Sequence, residues 1–160
     1  MAIDSLLEVQ VGILLKARGW TIGTAESCTG GLVAHRLTNI AGSSDYVLGG
    51  IVAYSNAVKM ALLGVNEATL EAHGAVSEAV AAEMATGARN ALHVDVAVSI
   101  TGIAGPGGGT PQKPVGLTYI GLAGPKDVLT VRRHMWSGDR EAIKNSSADA
   151  ALALVLEVFP

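Results

Sequence analysis

The sequence predicts a layered α/β domain with a mixed β-sheet, and three observations support this class. Apolar strand segments in the first half alternate with segments of helical periodicity, the order that builds parallel strand–helix units. The last two strand segments are joined only by Gly124–Asp127, a connection short enough for an antiparallel hairpin. The length of 160 residues suits one domain, and no repeat or linker divides residues 1–160.

The helices are predicted from apolar spacing and from their start and stop residues. The first begins near Ile3, carries apolar residues at helical intervals and stops at Gly19 after a basic last turn. The N-cap Ser77 opens a helix that runs to about Leu92. The remaining predicted helices are Leu32–Ile40, Asn56–Leu63, Glu67–Ala72 and a final helix that opens near Ser137 or Asp139 and runs to Val158.

The strands are predicted from short apolar or β-branched runs bounded by turn residues. Tyr46–Tyr54 is predicted to be a buried strand, interrupted by Gly49 and Gly50. The other predicted strands are Thr21–Thr24, Val94–Ile100, Val115–Leu122 and Val128–Met135. Between the last of the parallel candidates and the hairpin lies a loop, Gly102–Pro114, with five Gly and three Pro, and long loops of this kind are often functional.

Composition and charge exclude several classes of function. The net charge is −3 with scattered basic residues, so no nucleic-acid partner is expected. The single cysteine, Cys28, rules out a disulfide within the chain and fits a reducing compartment. No signal-like N-terminus or membrane-length apolar run is present, which predicts a cytoplasmic protein without a membrane partner. The four histidines lack metal-ligand spacing, so no metal site is expected. Only 16% of residues are charged, which favours burial in a homo-oligomer.

One candidate site begins at Ser27, in the segment Thr24–Gly31, which follows a strand and enters a helix. Small residues there leave backbone N–H groups free to bind an anion or to stabilise an oxyanion beside a nucleophile. Ser27 and Thr29 also have an ordinary explanation as helix caps. The segment lacks the first Gly of a G-x-S-x-G elbow, since Ala25 stands there.

Tyr54 and Lys59 lie where the second strand passes into a helix. A Ser hydroxyl needs a base to become a nucleophile, and a Lys with a lowered pKa or a Tyr can act as that base. Taken singly, Lys59 also fits a solvated helix position, and Tyr54 fits a core residue with a hydrated hydroxyl group.

Thr101 and Arg140 complete the set of candidates. Thr101 stands at the end of a strand that runs into a Gly-rich loop, where backbone can approach a ligand closely. Arg140 can bind a phosphate or a carboxylate with its planar guanidinium group. A flexible surface loop and a surface arginine at a helix start are the ordinary explanations.

Seven segments, taken together in chain order, closely resemble the CinA C-terminal domain family, also called PncC, the nicotinamide mononucleotide deamidases. They are Thr24–Gly31, Ile40–Ser44, Tyr54–Asn56, His73–Ser77, Ser99–Pro106, Lys113–Gly116 and Ser137–Arg140. The resemblance runs from about residue 5 to the C-terminus, and seven ordered motifs are far more specific than any one alone.

The resemblance implies a three-layer α/β/α sandwich, commonly oligomeric, in a single domain over residues 1–160. It implies hydrolysis of nicotinamide mononucleotide to nicotinate mononucleotide and ammonia, in pyridine nucleotide salvage, with no metal or organic cofactor. It points to Ser27 as the nucleophile, with Tyr54, Lys59 and Thr101 in the catalytic neighbourhood. The predicted substrate contacts are Glu26, Cys28, Thr29, Gly30, Gly31, Asn56, Gly102, Gly105 and Arg140.

Two other functions remain open at this point. A Ser–Lys amidase could act on a different small amide, and substrate profiling would separate the two enzymes. A non-catalytic nucleotide-binding or regulatory module would bind ligand without releasing ammonia. In the first and favoured function, the 5′-phosphate is expected at a helix N-terminus or at Arg140.

Overall fold

A computed structural model describes residues 6–160, and its elements follow the predicted order. Ile3, on which part of the first predicted helix rests, lies outside the described residues. The α-helices are α1 (Leu7–Arg18), α2 (Leu32–Thr38), α3 (Asn56–Leu63), α4 (Glu67–His73), α5 (Glu78–Leu92) and α6 (Arg140–Val158). The strands are β1 (Ile22–Glu26), β2 (Val47–Val52), β3 (Val96–Gly102), β4 (Leu117–Gly124) and β5 (Val128–Met135).

The five strands of this region form one mixed sheet in the order β2-β1-β3-β4-β5. The strands β2, β1 and β3 are parallel, whereas β4 and β5 are added antiparallel as a hairpin. Helices α1, α2 and α6 cover one face of the sheet, and α3, α4 and α5 cover the other. The fold is therefore the predicted α/β/α sandwich with a mixed sheet.

Each face of the sheet has its own apolar core, because successive side chains of a strand point to opposite faces. On β3, Val98 and Ile100 pack into the core beneath α1, α2 and α6. Ala97 belongs to the core beneath α5. On that same face Ser99 donates its hydroxyl to the carbonyl of Ala81, 2.6 Å away. Thr101, two residues further, therefore faces the α3–α5 layer.

The helix boundaries agree with the start and stop residues read from the sequence. Gly19 ends α1 in the left-handed conformation, with φ of 65°. The Ser77 hydroxyl accepts a hydrogen bond from the backbone N–H of Val80 and begins α5. The final helix begins after Asp139 rather than Ser137, because the Asp139 carboxylate accepts the N–H of Ala142 at 2.9 Å.

The prediction that Tyr46–Tyr54 is a buried strand is wrong in one respect. Strand β2 is shorter and lies at the edge of the sheet, where only β1 pairs with it. Its side chains alternate between partly buried and exposed, and Leu48 and Val52 are about half exposed, at 53% and 50%. A continuous apolar run does not reveal whether a second strand pairs beside it, so the sequence overstated its burial.

Within residues 6–160, none of the helices combines the length and the apolar character that crossing a bilayer requires.

Candidate active site

The site is built where parallel strands end, because their carboxyl ends meet at the same edge of the sheet. Ser27 follows β1 directly, and its N–H donates to the carbonyl of Ile100 on β3 at 2.9 Å. On the other side, the N–H of Ala53 donates to the carbonyl of Glu26 at 2.9 Å. These two bonds extend the sheet by one residue and bring Ser27, Tyr54 and Thr101 to one edge.

A cavity of about 290 Å³ lies at this edge. Nine of the predicted site residues line it: Ser27, Cys28, Tyr54, Asn56, Lys59, Thr101, Gly102, Gly105 and Arg140. Six further residues line it that were not predicted: Ala75, Val76, Ile103, Ala104, Gly107 and Gly108. Glu26, Thr29, Gly30 and Gly31 were predicted to contact substrate and do not line it.

Lys59 and Ser27 form the closest pair of reactive groups in the cavity. The Nζ of Lys59 lies 3.1 Å from the Oγ of Ser27 and 3.3 Å from the backbone carbonyl oxygen of Tyr54. Both side chains are buried, with 2% of Lys59 and 8% of Ser27 exposed. Lys59 is placed by the first turn of α3, which Ser55 caps by accepting the N–H of Val58 at 3.2 Å.

Burial lowers the pKa of Lys59 below its ordinary value of 10.5, because the charged ammonium loses its hydration. No carboxylate among residues 6–160 forms an ion pair with Lys59 that would restore the charged form. A lysine in these surroundings has a larger neutral fraction than a solvated one, and the neutral amine can accept a proton. The distance of 3.1 Å is short enough for a proton to pass between the Ser27 hydroxyl and a neutral Lys59 amine.

The side chain of Tyr54 lies at the mouth of the cavity rather than beside Lys59. It is 64% exposed, and its hydroxyl accepts a hydrogen bond from the Nη2 of Arg140 at 3.2 Å. The Nη1 of Arg140 donates to the carbonyl of Gly105 at 2.7 Å. Arg140 thus joins the Tyr54 side of the cavity to the loop after β3, and only the backbone of Tyr54 contacts the lysine.

Thr101 is buried on the cavity wall formed with the segment before α5. Its hydroxyl donates to the carbonyl of Ala75 at 2.8 Å. Ala75 and Val76 were missed as lining residues, although they lie in one of the seven family-like motifs, His73–Ser77. That motif was the available signal, since aliphatic side chains carry no chemistry of their own.

Glu26 has a different place from the one predicted. Its carboxylate is 1% exposed and points to the start of α2 rather than into the cavity. It accepts four hydrogen bonds of its own chain, from the hydroxyls of Thr24 and Thr29 and the N–H groups of Val33 and Ala34. A phosphate was predicted at a helix N-terminus that was not specified, and the N-terminus of α2 is already occupied by the Glu26 carboxylate.

Cys28 lines the cavity but is poorly suited to act as a nucleophile. Its side chain is 6% exposed, and burial raises the pKa of the thiol to about 11. Since the thiolate is the reactive form, Cys28 is a packing residue at neutral pH.

Some backbone N–H groups near Ser27 already donate hydrogen bonds within the protein, and others do not. The N–H of Gly30 donates to the carbonyl of Ser27 at 3.1 Å, and that of Ile103 donates to Leu117 at 2.9 Å. The N–H groups of Ala104 and Gly105 donate to no acceptor in the described part of the chain. Both residues line the cavity, and unpaired N–H groups of this kind are the donors that bind a carbonyl oxygen or an oxyanion.

Metal-binding side chains do not come together in this part of the chain. Among residues 6–160, no three His, Cys, Asp or Glu side chains are close enough to hold an ion.

Comparison with protein-family models places most of the chain in one family. The model of the CinA C-terminal domain matches residues 4–159. The solved structure of the competence/damage inducible protein CihA from Agrobacterium tumefaciens superposes with a TM-score of 0.93 at 38% identity. That alignment covers 95% of this chain and 93% of the other.

Two curated relatives differ in length. The chain is 51% identical to the nicotinamide-nucleotide amidohydrolase PncC of Enterobacter agglomerans, over 96% of this chain and 93% of that protein. It is 54% identical to a CinA-like protein of Salinibacter ruber, over 93% of this chain but 36% of that protein. The chain therefore spans about a third of the length of some relatives that it matches and nearly all of another.

Proposed function

This chain belongs to the CinA C-terminal domain family, and on that premise we propose that it is an amidase that hydrolyses the carboxamide of nicotinamide mononucleotide. The products are nicotinate mononucleotide and ammonia. One observation carries the proposal: the buried Nζ of Lys59 lies 3.1 Å from the Oγ of Ser27. The relative of 51% identity that is named a nicotinamide-nucleotide amidohydrolase supports the choice of substrate.

The first half of the reaction forms an ester on Ser27. The neutral amine of Lys59 accepts the Ser27 hydroxyl proton as Oγ bonds to the carboxamide carbon. The N–H groups of Ala104 and Gly105 stabilise the negative oxygen of the tetrahedral intermediate, a contact worth about 3–4 kcal/mol for each donor. The Lys59 ammonium then protonates the amide nitrogen, the C–N bond breaks and ammonia leaves.

The second half removes the acyl group with water. Lys59 is now neutral again. It accepts a proton from a water molecule as the oxygen of that water attacks the ester carbon. The ester bond breaks, Lys59 returns the proton to Ser27 Oγ, and the new carboxylic acid gives its proton to the solvent as nicotinate mononucleotide leaves. Neither half of the reaction includes a redox step or uses a bound metal. Water is the only co-substrate.

Replacement of Ser27 tests the nucleophile directly. We expect Ser27→Ala to lower kcat for ammonia release from nicotinamide mononucleotide by at least about 1000-fold, because no oxygen remains to form the ester. Ammonia release is measured with purified protein, and free nicotinamide and the phosphate-free nucleoside serve as substrate controls.

The matched control is Ser146→Ala, since Ser146 lies on α6 outside this cavity. It should retain wild-type turnover. A fully active Ser27→Ala protein would remove Ser27 from the mechanism. Wild-type protein that releases ammonia from none of the three substrates would instead favour a nucleotide-binding module.

A further inference from the structure

Arg140 uses two of its five N–H donors within the protein. Its Nη1 and Nη2 donate to Gly105 and Tyr54, so its guanidinium group holds two walls of the active-site cavity together. An anion that binds nearby therefore finds the positive charge of Arg140 and the three N–H groups that these two bonds leave unused. A second cation with free donors would complete a phosphate site.

Lys144 supplies such a cation one helical turn after Arg140. Residues four apart lie on the same face of a helix, about 6 Å apart along its axis. Lys144 is half-buried, and its side chain makes no hydrogen bond or ion pair within residues 6–160. Its ammonium group is therefore available to a ligand.

The two cations line a second cavity, of about 370 Å³, with Leu32, Glu141 and Asn145. Arg140 lines this cavity and the active-site cavity as well, so the two cavities are adjacent. Glu141 is the only acidic residue among the lining residues, and it is exposed. The two cations exceed the one carboxylate by one positive charge.

Gly30 lies close to the ammonium group of Lys144. The Nζ of Lys144 lies 3.9 Å from the position that a Cβ would take on Gly30, whose φ is +62°. Gly30 lies within one turn of Ser27, because its N–H donates to the Ser27 carbonyl. The charge of Lys144 also acts on the Cys28 thiol, where it opposes the larger effect of burial. Lys144 therefore points toward the segment that carries the nucleophile.

We propose that Lys144, together with Arg140, binds the 5′-phosphate of the substrate, so that the site selects a nucleotide over its phosphate-free nucleoside. This inference rests on the proposed function. The ribose separates the phosphate from the carboxamide, which requires an anion site beside the catalytic cavity rather than within it. The cavity lined by Arg140, Lys144 and Leu32 meets that requirement, whereas the N-terminus of α2 is occupied by Glu26.

A binding experiment tests the inference without relying on turnover. Nicotinate mononucleotide and the matching nucleoside without phosphate are titrated into wild type and into Lys144→Gln by calorimetry. We expect wild type to bind the nucleotide at least tenfold more tightly than the nucleoside. Lys144→Gln should lose most of this preference and leave the Kd of the nucleoside unchanged.

Two further variants provide controls for charge. Glu141→Gln removes the competing negative charge and should strengthen nucleotide binding, in the opposite direction to Lys144→Gln. Lys126→Gln changes the net charge by the same amount as Lys144→Gln, but Lys126 lies in the turn between β4 and β5. It should therefore leave the Kd values of the nucleotide and of the nucleoside unchanged.

The outcomes separate the two proposals. Equal binding of nucleotide and nucleoside by wild type, or an unchanged preference in Lys144→Gln, would overturn the phosphate subsite even in an active deamidase. A preference that depends on Lys144 would support the subsite even if wild type released no ammonia, and in that case the proposed function alone would fail.

Discussion

At the scale of single residues, the buried amine of Lys59 is the feature that makes the site chemically unusual. A lysine is ordinarily solvated and almost fully protonated at neutral pH. Here burial lowers its pKa, and the nearest polar partner is a serine hydroxyl rather than a carboxylate. The surroundings therefore favour the neutral form, which is the form a general base requires.

The pH profile of the reaction should report this lysine. We expect kcat/KM to rise with pH and to level off above a pKa that lies below 10.5, because only neutral Lys59 accepts the serine proton. Lys59→Met should lower kcat/KM by about 100-fold or more and abolish the rise. Steady-state ammonia release across the pH range measures both effects.

The lowered pKa of Lys59 also determines how the free energy of unfolding changes with pH. Since the folded pKa of Lys59 is below the unfolded one, the unfolded state binds more protons between the two values. The contribution of Lys59 to stability is therefore complete above the unfolded pKa and falls as the pH drops through the folded pKa. Lys59→Met should lack this dependence, and Lys16→Met, at an exposed site, should keep it. Identical pH profiles for wild type and Lys59→Met would contradict a lowered pKa.

At the scale of elements, Glu26 joins the end of β1 to the start of α2. Side chains alternate along β1, so Glu26 shares a face with Thr24 and points to α2. Ser27, the next residue, points to the opposite helical layer, where Lys59 lies on α3. The turn that carries Ser27 is therefore fixed on one side by the hydrogen bonds of Glu26.

Glu26→Gln tests this role in stability. Each carboxylate oxygen of Glu26 accepts two hydrogen bonds. In glutamine one of these oxygens is replaced by an NH2 group, so two of the four donors lose their acceptor. We expect the free energy of unfolding to fall by about 2 kcal/mol. Urea denaturation measures the change, and Glu71→Gln, at an exposed position on α4, should change it by less than about 0.5 kcal/mol. Equal stabilities of the two variants would show that the bonds of Glu26 do not hold the turn.

At the scale of the whole molecule, the site depends on the distance between layers. Ser27 follows a central strand, whereas Lys59 lies on a helix packed on one face of the sheet. Helix α3 approaches α5 closely because Gly87 has no side chain, and a Cβ there would overlap with the backbone of Leu63. Close packing of α3 on α5 thus sets how far Lys59 stands from Ser27.

Gly87→Ala should therefore weaken both the fold and the catalysis. Alanine favours a helix by about 1 kcal/mol over glycine, but moving the rigid backbone of α3 costs more. We expect a net loss of stability of about 1–3 kcal/mol and a reduced kcat at temperatures where the protein remains folded. Thermal unfolding and ammonia release measure the two effects. Thr86→Ala, at an exposed neighbouring position, is the control, and a Gly87→Ala protein of wild-type stability would contradict the packing.

The expectation of a homo-oligomer also belongs to this scale and stays a prediction. Several large apolar side chains are about half exposed or more, among them Ile13, Leu48 and Leu62. The low content of charged residues and these exposed side chains are consistent with an interface between subunits, but they do not locate it on the surface.

The sequence by itself determined the elements, the fold class and the neighbourhood of the candidate site. Caps such as Ser77 and Asp139 act on the nearest N–H groups, and apolar periodicity is a property of one segment, so both can be read locally. The place of Thr101 at a strand end followed from the general position of ligands in α/β sheets, and its grouping with Ser27 followed from the family resemblance. The roles of these residues in catalysis stay predictions.

Only the tertiary structure decided which of these groups meet. The order of strands in the sheet made β2 an edge strand, although its apolar run predicted burial. The alternation of side chains at the end of β1 directed Glu26 to α2 and Ser27 to Lys59. Packing of α6 against α2 brought Lys144 beside Gly30. The approaches of Lys59 to Ser27 and of Lys144 to Gly30 join residues that are distant in sequence, and their distances depend on the packing of whole layers, which no local pattern encodes.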